Sequence, residues 1–197
     1  MSRMGRMGDR RGAAVQAVGF VLAFAVVGAV AGVVWELLWD APDGLVFEGK
    51  WYLEPAGPDY AFSGTGWYVV VALVAGSLTA LALGWLWPRH ELVSLAAMVV
   101  GSTLAGWVMF KVGHALGPQD PQLLAAGKED LSTLPSELSV VGAGDDPRLH
   151  IFDSSAFVAF PVGAMTAAVF LFLAMSGRRA AQSSDDRPST SDNPYAG

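Results

Sequence analysis

Residues 67–110 read WYVVVALVAGSLTALALGWLWPRHELVSLAAMVVGSTLAGWVMF, and this stretch decides the fold. It holds two apolar runs joined by one short break, Trp87-Pro88-Arg89-His90-Glu91. No charged residue lies between Tyr60 and Pro88, and none between Leu92 and Phe110. At about 1.5 Å of rise per residue, each run spans the roughly 30 Å hydrocarbon core of a bilayer. Pro88 removes a backbone donor and disfavours helix at the residue before it, so it ends the first helix. The stretch therefore predicts two membrane-spanning helices, antiparallel neighbours across a tight turn.

Working outward, the same pattern recurs twice. Residues 12–35 carry no charge and follow a basic start, Arg3, Arg6, Arg10 and Arg11 against Asp9. A basic region before an apolar run also describes a cleaved signal peptide. This run is too long for one, and it continues past the small-residue site Ala29-Val30-Ala31 to Leu38. The last apolar run begins after Asp153-Ser154-Ser155, which offers a helix N-cap. Pro161 lies in its first two turns, should leave the Phe157 carbonyl without its donor, and predicts a kink. The expected fold is an all-α membrane protein of four transmembrane helices, about 13–39, 66–87, 91–112 and 154–176. Only 15% of the chain is charged, against roughly 25% in soluble domains. Cysteine is absent, which excludes disulfides, thiolate nucleophiles and Cys-based metal sites.

Four helices place both termini on one side. With that side in the cytoplasm, eight of the twelve Lys and Arg fall inside: Arg3, Arg6, Arg10, Arg11, Arg89, Arg178, Arg179 and Arg187. Lys50, Lys111, Lys128 and Arg148 fall outside, with thirteen of the eighteen acidic residues. Basic segments are retained on the cytoplasmic side. The reading is a multi-pass protein of the cell (inner) membrane, with cytoplasmic N- and C-termini. Trp35, Trp39, Trp67, Tyr68 and Trp107 then sit at the outer interface, and Trp85 and Trp87 at the inner one.

The domain plan follows. Residues 1–12 are a cytoplasmic basic N-terminus. Residues 13–176 are the membrane domain, with outer loops 40–62 and 113–153. Residues 177–197 are poor in aliphatic residues and should form a disordered cytoplasmic tail. The outer loops should make a small irregular cap. Within it, Leu45-Val46-Phe47 and Trp51-Tyr52-Leu53 suit a short hairpin around Glu48-Gly49-Lys50. Asp120 and Pro121 suit the start of a short helix over 122–126. Residues 134–141 read equally as strand or coil.

Five short motifs carry a resemblance. They are Trp35-Glu36-Leu37-Leu38-Trp39, Gly64-Thr65-Gly66-Trp67-Tyr68, Gly113-His114-Ala115-Leu116-Gly117-Pro118, Leu134-Pro135-Ser136-Glu137-Leu138, and Ala159-Phe160-Pro161-Val162-Gly163-Ala164-Met165. In this order, over about residues 13–176, the chain resembles a family of small actinobacterial membrane proteins of unknown function. The resemblance implies a four-helix membrane fold in an actinobacterial inner membrane, and no activity.

Candidate sites are few. Glu36, Lys111 and His114 form a candidate outer ionisable cluster. It reads as an ion or proton pathway, or as a structural Glu36–Lys111 salt bridge or simple interfacial placement with snorkelling side chains. Gly28 and Gly32 fit the close-approach spacing, and Gly101 and Gly106 give the third helix a small face. These residues serve packing within the bundle, or contact with a membrane-protein partner or a second copy. Phe47, Trp51, Tyr52, Tyr60 and Phe62 suit either a recognition surface or a packed cap. His90, His114 and His150 lack metal-ligand spacing, so no metal or other cofactor is expected. No nucleotide loop or catalytic constellation appears, and the basic residues suffice for lipid headgroups but not for nucleic acid. The sequence thus points to a non-enzymatic accessory or interaction protein of the lipid bilayer. The alternative is a small transporter or channel subunit with the ionisable cluster at its outer mouth.

Overall fold

The computed structural model describes residues 3–54, 58–86, 91–143 and 154–185. The elements run α1 (Arg3–Leu38), β1 (Asp43–Phe47), β2 (Lys50–Leu53), α2 (Pro58–Leu86), α3 (Glu91–Leu116), α4 (Pro121–Ala125), β3 (Thr133–Pro135), a 3-10 turn (Ser155–Val158) and α5 (Ala159–Asp185). Helices α1, α2, α3 and α5 are long and apolar enough to cross a membrane. The chain has the make-up of a multi-pass membrane protein.

The helices overrun their expected limits. The basic start is helical from Arg3. α2 begins at Pro58, with Asp59 in its first turn, where a proline has no donor to lose and a carboxylate complements the helix dipole. α5 continues to Asp185, so residues 177–185 are helical where a disordered tail is expected. Extending an existing helix through Arg178, Arg179, Ala180 and Ala181 incurs no nucleation penalty. Residues 186–197 lie outside the described residues.

The packing order departs from chain order. α2 and α3 are expected to be neighbours, yet they barely touch; α1 packs along α3, and α2 along α5. α1 also meets α2, and α3 meets α5, so α2 and α3 occupy opposite corners of a four-helix ring. Glycine explains why. A Cβ built at Gly28 would lie 2.5 Å from the Ala105 carbonyl oxygen, and one at Gly32 would lie 2.6 Å from that of Met109. A Cβ at Gly76 would collide with the Phe160 carbonyl, and one at Gly163 with that of Leu73. Each seam brings one backbone onto another, with α1 parallel to α3 and α2 parallel to α5. Membrane helices lack a hydrophobic drive between them, so the pairs that approach most closely gain the most dispersion attraction. That preference outweighs the connection through residues 87–90, which lie outside the described residues.

Aromatic rings fill the ring's centre. Phe20, Phe24, Trp35, Tyr68, Met109 and Phe160 are each 1% exposed or less. Phe24 and Phe160 meet edge to face with centroids 6.3 Å apart. The outward residues are apolar too: Leu22, Val26, Leu78, Val100 and Phe170 are exposed, as lipid contact requires. Polar side chains on the membrane helices bond within their own helix or across to a neighbour. Thr79 Oγ1 donates to the Ala75 carbonyl at 2.6 Å, and Gln16 Nε2 donates to Ser94 Oγ at 2.7 Å.

At the end of the bundle opposite the start of α1 and the end of α5 sits a cap. The expected hairpin is present, with Val46 opposite Trp51 and Leu45 opposite Tyr52. Its two-residue turn places Glu48 at φ 49° and Gly49 at φ 70°, the twist that suits paired strands. Asp130 Oδ1 accepts from the Glu48 amide at 2.9 Å and secures the non-glycine position. The cap is more regular than expected, because β3 adds to the free edge of β1 as a third antiparallel strand. Local patterning could not reveal a partner strand about 90 residues away in the chain. Asp120 caps α4 as expected, accepting from the Gln122 amide at 2.8 Å with Pro121 in the first turn.

The entry to the last helix is also sharpened. Ser154 Oγ caps the 3-10 turn by accepting from the Ala156 amide at 3.3 Å; Asp153 lies outside the described residues. Pro161 falls in the first turn of α5, just after the change from 3-10 to α between Val158 and Ala159. The missing proline donor is therefore absorbed at a helix start rather than inside a continuous helix.

Candidate functional site

The cap end is where polar and aromatic groups converge. Trp35 is fully buried and donates from Nε1 to the Gly64 carbonyl at 2.8 Å. One turn on, Trp39 Nε1 donates to Ser63 Oγ at 3.1 Å. These two bonds hold the end of α1 to the start of α2. Tyr68 donates from its hydroxyl to the Gly106 carbonyl at 2.8 Å. Its ring stands edge-on to Trp35, with centroids 5.1 Å apart, and edge-on to Phe157 at 5.8 Å. Each polar tip is spent on a backbone or hydroxyl oxygen, so a large aromatic cluster is buried without orphaned donors.

The cap docks on this cluster through residues 136–141. Leu138 and Val140 are buried in the bundle core. His114 Nδ1 lies 2.9 Å from the Leu138 carbonyl, and since a carbonyl only accepts, Nδ1 carries the proton. The His114 ring stacks on Phe110 at 5.6 Å. Thr65 Oγ1 accepts from the Val141 amide at 2.9 Å.

The expected ionisable cluster is not assembled. Glu36 and Lys111 are both half-buried, and among the described residues no ion pair joins them. His114 is engaged with the cap instead. The four candidate packing glycines each face another helix of the chain. Gly28 and Gly32 lie on α3, and a Cβ at Gly101 would reach 3.0 Å from the Phe24 ring. One at Gly106 would lie 3.2 Å from the Tyr68 hydroxyl, so the bare glycine gives Tyr68 its acceptor. Of the loop aromatics, Phe47, Tyr52 and Phe62 are exposed. Trp51 lies over Gly44 and donates from Nε1 to the Leu134 carbonyl at 2.9 Å. The Tyr60 side chain, His90 and His150 lie outside what is described. Among the described residues no group of His, Asp and Glu is placed to hold a metal ion.

Sequence reading missed a cavity of about 240 Å³ beneath the sheet. Its wall includes Trp39, Trp51, Ser63, Asp120, Ser136 and Glu137. Gln122 braces it, donating from Nε2 to the Trp51 carbonyl at 3.0 Å and accepting from the Trp51 amide at 3.4 Å. Two signals for it stood in the sequence, the Asp120-Pro121 helix start and the Ser136-Glu137 pair. Neither indicates that both return to the end of α1. No family model, curated protein or solved structure matches the chain.

Proposed function

We propose that the chain is a non-enzymatic accessory protein of the cell membrane, a packed anchor whose extracytoplasmic cap engages a partner. Both termini are placed in the cytoplasm, on the distribution of Lys and Arg. The five motifs above favour a place beside the actinobacterial family that they resemble.

The observation that carries this reading is the filled interior. Conduction and transport need polar or ionisable groups facing a central path. Here rings and methyl groups occupy the centre, and the buried polar residues among those described are Thr79, Ser94, Ser102 and Ser154. Ser102 bonds back to the Val99 carbonyl of its own helix at 3.2 Å. The cap, by contrast, offers exposed aromatic side chains and a cavity.

Two measurements test this. Reporter fusions at residues 50, 89, 130 and 190 are expected to read outside, inside, outside and inside; an inside reading at 130 would overturn the orientation. The double substitution Glu36→Leu with Lys111→Leu is expected to leave membrane assembly and partner capture unchanged. Loss of an ion or solute flux in that variant would favour the transporter reading instead.

A further inference from the structure

An apolar groove of about 580 Å³ runs between α1 and α3, on the half of the bundle nearer the start of both helices. Ala17 and Ala97 are small and lie against the core, while Val18, Leu22, Leu92 and Val100 are large and exposed. Small side chains at the back and larger ones at the rim make a trough. Two ties fix its shape. Gln16 Nε2 donates to Ser94 Oγ across the two helices at 2.7 Å, at the depth of the groove. Beyond Leu22 and Val100, Gly28 and Gly32 bring α1 onto the α3 backbone.

We propose that this groove seats an acyl chain of one anionic phospholipid, with the lipid phosphate at Arg11. Helical spacing joins the groove to the charge. Arg11, Val18 and Leu22 follow the spacing i, i+7, i+11, and Arg10, Ala17 and Val21 repeat it one residue earlier. Residues so spaced share a stripe of the helix. Both α1 stripes that line the groove therefore lead to an arginine, about 10 Å nearer the helix start. Arg11 is exposed there. Around the starts of α1 and α3, Arg3, Arg6, Arg10, Arg11 and Arg89 stand against Asp9 and Glu91, so this end is net basic. Lipid already surrounds the helices, so burial from water adds nothing to the site. The gain is contact on the floor and both walls of the trough, together with a charge-assisted bond between guanidinium and phosphate. A second copy of the chain fits less well. Oriented the same way in the membrane, it would bring its own basic start to this depth, and like charges repel. The inference needs only the membrane-spanning helices and does not depend on the accessory role.

The test uses the full chain in detergent micelles and native mass spectrometry, which counts bound lipids and copies of the chain together. The probes are dipalmitoyl phosphatidylglycerol, dipalmitoyl phosphatidylcholine, and glycerophosphoglycerol, which has the anionic headgroup without acyl chains. Phosphatidylglycerol is expected to saturate at one per chain, about tenfold tighter than phosphatidylcholine, with glycerophosphoglycerol not retained. Ala96→Trp puts a ring into the groove from an exposed position, so it should abolish saturable binding. Arg11→Gln should weaken phosphatidylglycerol about fivefold, the worth of one basic residue at an anionic surface. Either variant suffices if the other fails to fold. Equal binding of the two phospholipids, retention of glycerophosphoglycerol, or unchanged binding in a folded variant would overturn the proposal. So would a lipid-free dimer that Ala96→Trp dissociates, since the groove would then seat a second copy.

Discussion

Gly28→Val is expected to lower the unfolding free energy of the bundle by about 3 kcal/mol, at the upper end of what overpacking a core costs. A Cβ at Gly28 would stand 2.5 Å from the Ala105 carbonyl oxygen and 2.8 Å from its Cα. Both are backbone atoms, so no rotamer change relieves the clash. α1 and α3 would have to separate, and Gly32 on Met109 and Gly113 on Trp35 would loosen with them. Separation weakens the dispersion attraction along the whole seam, because that attraction falls steeply with distance. Gly19→Ala supplies the control, because nothing lies within 4 Å of a Cβ there. It should be neutral or stabilise by up to about 1 kcal/mol, since alanine has the better helix propensity. Both are read by denaturant unfolding in micelles, followed by circular dichroism. Equal stability of Gly28→Val and the parent chain would mean that α1 and α3 do not meet at Ala105.

The same seam marks the limit of what the sequence discloses. Helix number, the hairpin at Glu48-Gly49 and the Asp120 cap are legible because each has a local cause: an uncharged run of bilayer length, a turn flanked by alternating residues, a side-chain acceptor before proline. The packing order is not legible in the same way. Lipid-facing and core-facing sides are both apolar, so Val26 and Leu22 outside read like Phe24 and Phe20 inside. No hydrophobic periodicity separates the faces. The glycines were visible and their role in close approach is general, yet spacing alone does not say that Gly28 meets Ala105 rather than a residue of α2. The candidate ionisable cluster failed for a related reason. Equal depth brings Glu36, Lys111 and His114 to one end of the bundle, but contact depends on helix rotation, which packing sets. The cap cavity was hidden by chain distance, since its wall joins residue 39 to residue 137.

Trp35→Ala is expected to cost about 3–5 kcal/mol, the range for truncating a fully buried large aromatic residue. The ring is 0% exposed and lies against Tyr68, Phe110 and Gly113. A Cβ at Gly113 would run into the six-membered ring of the indole, so the space was left by α3 for this side chain. Alanine leaves a void that α3 cannot fill, because α1 and α3 are already held at backbone contact by Gly28 and Gly32. The change also removes the donor to Gly64. Gly64 lies directly under the docked cap, where its own Cβ would be 2.8 Å from the Ser139 carbonyl. The cost should therefore appear in two places: lower global stability, and faster proteolysis of the cap strand around residues 128–143 under conditions where the helices persist. Trp35→Phe separates the causes. It keeps most of the ring and loses only a second hydrogen bond to a carbonyl that lies within α2, so it should cost about 0.5–1.5 kcal/mol, the net worth of one hydrogen bond. If alanine and phenylalanine cost the same, the indole would act through its hydrogen bond alone. If neither exposes the cap to protease, Trp35 would not be the link that couples the bundle to the cap cavity.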